Sequence, residues 1–123
     1  MSRNEQDRLR DIKYAIAAIR EHLARAGEEP ADEDAALLHD ALLFQFVVIG
    51  EAVKNLAPDT RDLEPEIPWT DVAGLRDLIA HEYFRIEIAR VLAIVERDLP
   101  PLERAIDRLL NDDDGGAEGP LAG

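Results

Sequence analysis

The stretch "ADEDAALLHDALLFQFVVIGEAVKNL", Ala31 to Leu56, decides the fold. Its acidic start, Asp32, Glu33 and Asp34, suits the positive end of a helix dipole. Its centre, "ALLFQFVVIG" (41–50), is apolar on nearly every side of a helical period. That pattern predicts a helix buried on two faces, in its own core and against a second subunit. Gly50 costs a helix interior about 1 kcal/mol of propensity, so a close backbone approach is the expected reason for it.

On the N-terminal side, Leu9, Ile12, Ile16, Ile19 and Leu23 step by 3, 4, 3 and 4, which predicts a helix from about Glu5 to Ala26. "GEEP" stops it, with Gly27 as the C-cap and Pro30 beyond. On the other side, "APDTRDLEPEIP" carries prolines at 58, 65 and 68 and reads as an ordered connection. A third helix is expected from Pro68 or Thr70, with Val72, Leu75 and Ile79 facing the core. A fourth runs from about Glu87 to Asp98 with Ile88, Val91, Leu92 and Val95. "LPP" is expected to break it, leaving Leu102, Ile106 and Leu109 on a last short helix. Residues 111–123 read as an acidic, Gly-rich, disordered tail after a single helical domain over 1–110. The expected class is all-α: an antiparallel up-and-down bundle of four main helices plus a short C-terminal helix, homodimeric.

A chain of 123 residues, 46% hydrophobic and 33% charged, is ordinary for one globular domain. It has no cysteine, which excludes a disulfide framework, a thiolate zinc site and a cysteine nucleophile, and is compatible with the cytosol. The N-terminus is too charged for a signal peptide, and no apolar run approaches the roughly 20 residues that span a bilayer. The net charge is −13; Asp112, Asp113, Asp114 and Glu118 supply four of these, so residues 1–110 still carry −9. This argues against wrapping of long nucleic acid by bulk electrostatics and leaves either no nucleic acid at all or a small positive site on an acidic body.

No Gly-rich phosphate loop, HExxH or EF-hand spacing occurs. His22 and His39 read as solvated helix residues, Asp32 to Asp34 as a helix-starting run rather than a metal site, and Lys54 as a lone cation. Trp69 reads as a packing anchor. What stands out is "GLRDLIAHEYFRIE", Gly74 to Glu87, which gathers Arg76, His81 and Tyr83. At about 100° per residue from Val72, Arg76 and Tyr83 border the buried stripe together, and His81 falls on the far side. Either the helix loosens before His81, or a two-fold dimer brings the His of one subunit to the Arg of the other. The bland alternative pairs Arg76 with a nearby carboxylate, leaves His81 exposed and has Tyr83 cap the core with its hydroxyl wet.

"RDLIAHEY" resembles the R-x4-6-H signature of HEPN-domain proteins, in the R-x4-H-x-Y form of the HepT toxin family. "FVVIGEAVKNL", "IPWTDVAGLRD" and "DLPPLERAIDRLL" are similar to other phrases of that family at the expected distances, so the resemblance spans roughly residues 5–110. It implies a metal-independent endoribonuclease, the toxin of a type VII-like toxin–antitoxin pair, working as a homodimer with its cleft along the two-fold. It needs no cofactor and involves no membrane. Its partner would be a minimal nucleotidyltransferase antitoxin, which can adenylylate the motif tyrosine. By position, Arg76 and His81 would be the catalytic pair and Tyr83 the modified or substrate-orienting residue. Asp77 stands where the family commonly has Asn, and would modulate the site as an anion beside Arg76. The alternative reading is a non-catalytic HEPN module that binds a nucleotide or a nucleotidyltransferase.

Overall fold

The computed structural model describes the backbone of residues 2–122 and the side chains of residues 2–111. The first helix, α1, runs Arg3–Ala26. Ser2 caps it by accepting a hydrogen bond from the Glu5 amide at 3.2 Å. Gly27 ends it at φ 75°, ψ −177°, a backbone conformation that glycine adopts without a Cβ clash, and donates its N–H to the Leu23 carbonyl. Leu9, Ile12, Ile16 and Ile19 are fully buried along the expected stripe.

The second helix, α2, runs Asp32–Lys54 and is the hub of the molecule, packing against α1 and, further along the chain, against α4 (Trp69–Ala73), α5 (Leu75–Glu82) and α6 (Ile88–Ala122). Leu42, Leu43, Phe46, Ile49 and Val53 are buried within it. By length and composition alone α2 is apolar enough to cross a membrane, a property that a helix buried in a protein core shares. Asp40 is the one Asp, Glu, Lys or Arg between Asp34 and Glu51, so the apolar run is longer than its separate pieces suggest.

The connection after α2 holds a short helix that periodicity did not predict, α3, Pro58–Asp62. Its start is tied to α1 by the buried carboxylate of Glu5, which accepts from the Ala57 amide at 3.0 Å and the Thr60 hydroxyl at 2.7 Å. Trp69 anchors the same connection. Its ring is buried, and its indole N–H is shared between the carbonyls of Arg61 at 3.0 Å and Glu64 at 2.9 Å.

Two expected boundaries are corrected. The third helix is divided at Gly74 into α4 and α5. The fourth helix does not break at Pro100 and Pro101, for α6 is continuous through them. Each proline removes one backbone donor and leaves the carbonyl four residues earlier unpaired. Those carbonyls belong to Glu96 and Arg97, on exposed residues where water can take their place. Leu99, Leu102, Ile106 and Leu109 are all buried, so packing against the core outweighs the local propensity. Arg20 pairs with Glu103, and Lys13 with Asp107 at 3.0 Å, across the α1–α6 seam. The acidic stretch expected as a tail falls at the end of α6, where residues 112–123 lie outside the described side chains. Among the described residues there is no strand.

Candidate active site

Arg76 and His81 stand on one uninterrupted helix, α5, and both are exposed. Five residues apart, they differ by about 140° around the axis and about 7.5 Å along it. The helix loosens at Glu82 (φ −122°, ψ 15°), after His81 rather than before it, so the first of the two expected escapes does not occur. The loosening at Glu82 falls between Arg76 and Tyr83, which removes the straight-helix basis for setting those two side by side.

The position of Arg76 is built from α2. Gly50 lies where the α4–α5 backbone crosses α2, and a Cβ there would meet the Arg76 amide nitrogen at 3.0 Å. The close approach expected at this glycine is therefore present. One residue on, Glu51 holds the Arg76 Nε at 3.2 Å, with both side chains about half exposed. The carboxylate pairing of the bland alternative is thus real, and it runs through the Arg76 Nε. The remaining donors of the fork can still take an anion. Asp77 is exposed beside it.

Tyr83 opens a 3-10 turn, Tyr83–Arg85, and its ring packs on the core. Its hydroxyl is not simply wet: it donates to Asp40 Oδ1 at 2.5 Å. This bond holds the phenol proton and raises the Tyr83 pKa above its ordinary value. It is also the chief cause lowering the Asp40 carboxyl, with the His39 hydrogen bond adding to it. His39, read from sequence as solvated, is corrected. Its side chain is 19% exposed, its Nε2 donates to the Ile86 carbonyl at 2.7 Å, and its ring meets Tyr83 edge-on at 6.1 Å between centroids. A carbonyl only accepts, so Nε2 carries the proton. Phe84, 98% exposed, stands edge-on to Tyr83.

His39 and Asp40 are the functional candidates that sequence reasoning missed. The available signal was Asp40 itself, one charge in an apolar helix. The structure brings Tyr83 to Asp40 and His39, and Arg76 to Glu51; no hydrogen bond, ion pair or ring contact joins Arg76, His81 and Tyr83 to one another. A separate cleft of about 340 Å³, lined by Pro58, Arg61, Ile67 and Trp69 among others, includes none of the three. Among the described residues no group of three or more His, Cys, Asp or Glu could hold a metal ion.

Comparison with known proteins adds the following. A family model described as "Ribonuclease HepT-like" matches residues 12–109. A "Probable ribonuclease HepT" of Thermococcus cleftensis is 34% identical over 109 residues, covering 89% of this chain and 98% of that protein. A "Putative RNase" of Caldanaerobacter subterraneus subsp. tengcongensis is 34% identical over 74 residues, 60% of this chain and 66% of the relative. A protein of Methanocaldococcus jannaschii named "Gamma-glutamylcyclotransferase and putative RNase" is 30% identical over 109 residues, 84% of this chain and 49% of its own length. No solved structure matches the chain.

Proposed function

Since the chain belongs to the HepT-like ribonuclease family, we propose that it is a metal-independent, cytoplasmic RNA endonuclease acting as a homodimer, the toxin of a pair whose antitoxin is a minimal nucleotidyltransferase. The observation that carries this reading is the exposure of both Arg76 and His81 on α5, where substrate can reach them. RNA brings its own nucleophile, the 2′-hydroxyl. Cleavage then needs a base for the 2′-proton, an acid for the leaving 5′-oxygen and a cation for the charge that develops on phosphorus. An imidazole exchanges protons near neutral pH, which suits His81 to the proton transfers. The Arg76 guanidinium stays charged and offers paired donors to two phosphate oxygens. Glu51 holds it in place from the α2 side.

The large apolar side chains left uncovered support a second copy. Leu37 and Phe44 are 68% and 62% exposed, seven residues apart on α2, and Phe84 stands free beside Tyr83. Two-fold pairing would pool two Arg and two His in one cleft, a local positive site on an acidic body. Tyr83 is the residue the antitoxin would adenylylate, setting a bulky anion where RNA phosphate must lie. The body charge of −9 suits a partner with a basic face.

A second reading, a HEPN module that binds a nucleotide or a nucleotidyltransferase and cuts nothing, is favoured by one observation. Arg76 already has a carboxylate partner and a second carboxylate, Asp77, beside it in sequence. Expression without antitoxin separates the two. Growth arrest by the wild type that His81→Ala abolishes supports the nuclease, as do RNA products with 5′-hydroxyl and 2′,3′-cyclic phosphate ends. Equal growth of both strains favours the binding module, and 3′-hydroxyl ends from an active sample exclude the mechanism.

A further inference from the structure

The end of α5 is a weak point in the frame. Glu82 leaves helical geometry, Tyr83–Arg85 form one 3-10 turn, and Ile86 is extended (φ −75°, ψ 116°) before α6 begins. The Ile86 amide donates to the Glu82 carbonyl at 3.1 Å across this turn. His81 lies two residues before Tyr83, in the last turn of the helix that this 3-10 turn follows.

We propose that His39 and Asp40 of α2 form a two-point latch on this turn, positioning the helix end that bears His81, and that a group added to the Tyr83 hydroxyl opens it. The two residues are consecutive, so their side chains leave α2 about 100° apart and straddle the turn. Asp40 takes its first residue through the Tyr83 hydroxyl, and His39 takes the Ile86 carbonyl that follows its last. Both bonds reach across more than forty residues of sequence. The ring contact between His39 and Tyr83 joins the two points into one unit. Asp40 has a clear reason to interrupt an otherwise uncharged run: it supplies the acceptor for this hydroxyl.

The latch rests on the reading of Tyr83 as a modified residue beside a ribonuclease site, and it gives modification a second effect besides occlusion. In transfer from a nucleoside triphosphate, the Tyr83 oxygen bonds to the α-phosphorus and the bond from that phosphorus to the departing pyrophosphate breaks. The phenolic proton leaves toward the Asp40 carboxylate that already accepts its hydrogen bond. The product is an aryl phosphodiester with no O–H to donate and one negative charge, standing against the carboxylate of Asp40. A hydrogen bond becomes a like-charge contact, and that half of the latch is lost.

Tyr83→Phe removes the same donor without adding bulk and so separates the latch from occlusion. Asp40→Ala removes the acceptor at a position exposed enough to leave folding intact. In both variants, amide hydrogen exchange across residues 83–87 should quicken about tenfold while α1 is unchanged. Asp40→Asn, which keeps an acceptor oxygen, should fall between them and wild type. Cleavage of a single-stranded RNA should lose about tenfold in kcat with KM within about twofold, the signature of a displaced catalytic group rather than lost binding. Unchanged exchange in Tyr83→Phe and Asp40→Ala overturns the latch, whatever the activity. Quickened exchange with full kcat overturns the positioning role. A wild type that cuts no RNA refutes the nuclease reading, while the exchange measurement still decides the latch.

Discussion

A Cβ added to Gly50 would stand 3.0 Å from the Arg76 nitrogen and 3.3 Å from the carbonyl oxygens of Val72 and Ala73, all backbone atoms that move only if the crossing segment moves. Gly50→Ala gains about 1 kcal/mol of helix propensity and loses about 1–3 kcal/mol to overpacking against atoms that cannot rotate away. The loss should win. Urea unfolding should show a variant destabilised by about 1 kcal/mol, with RNA cleavage reduced more than stability because Arg76 sits at the clash; a more stable, fully active variant would contradict this. The same reasoning made Gly50 legible in the sequence, since a glycine inside an apolar helix is an anomaly that demands a neighbour. His39 offered no such signal, because its partner is a backbone carbonyl 47 residues away. At Tyr83, the hydrogen bond to Asp40 raises the phenol and lowers the carboxyl. The bond therefore contributes from the carboxylate range upward, is lost in acid as pH falls through the depressed Asp40 value, and is lost in alkali as pH rises through the raised Tyr83 value. Ultraviolet titration should place Tyr83 above the ordinary tyrosine value and bring it down in Asp40→Ala; an unmoved titration would remove Asp40 as the cause.

Among the elements, those that local period describes were readable: the stripe of α1, its Gly27 cap and the acidic start of α2. Those decided by distant contacts were not. Pro100 and Pro101 argue for a break on local grounds, yet Leu99 and Leu102 on either side are buried and carry α6 through. The division of α4 from α5 at Gly74 and the short helix α3 follow from what they pack against, and neither changes the hydrophobic period. At α3 the decisive residue is Glu5, a carboxylate 8% exposed in the first turn of α1. Without it, the Ala57 amide and the buried Thr60 hydroxyl both lose their acceptor. Glu5→Ala should lower the unfolding free energy by about 1–3 kcal/mol, the cost of leaving such donors unpaired, and should loosen α3 in hydrogen exchange. An unchanged denaturation midpoint would show that water replaces the carboxylate without loss.

For the whole molecule, the separation of Arg76 from His81 around α5 turns the proposed dimer into a quantitative question. If the site is composite, each of two equivalent centres takes Arg76 from one subunit and His81 from the other. Arg76→Ala and His81→Ala are then each inactive alone. Mixed after exchange of subunits, half of the dimers are heterodimers. In each of these one centre has lost both residues and the other has lost neither. Activity should return to about a quarter of wild type, because half of the dimers carry one intact centre of two. If Arg76 and His81 of the same chain work together, no centre in the mixture is intact and nothing is restored. Leu37→Glu or Phe44→Glu on the exposed face of α2 should lower the dimer fraction in analytical ultracentrifugation, and with it the restored activity. Restoration with no dimer in solution would place the subunit contact on RNA itself. Absence of restoration in a verified heterodimer would return the site to a single chain, where the geometry of α5 requires the substrate to bridge about 140° of helix surface.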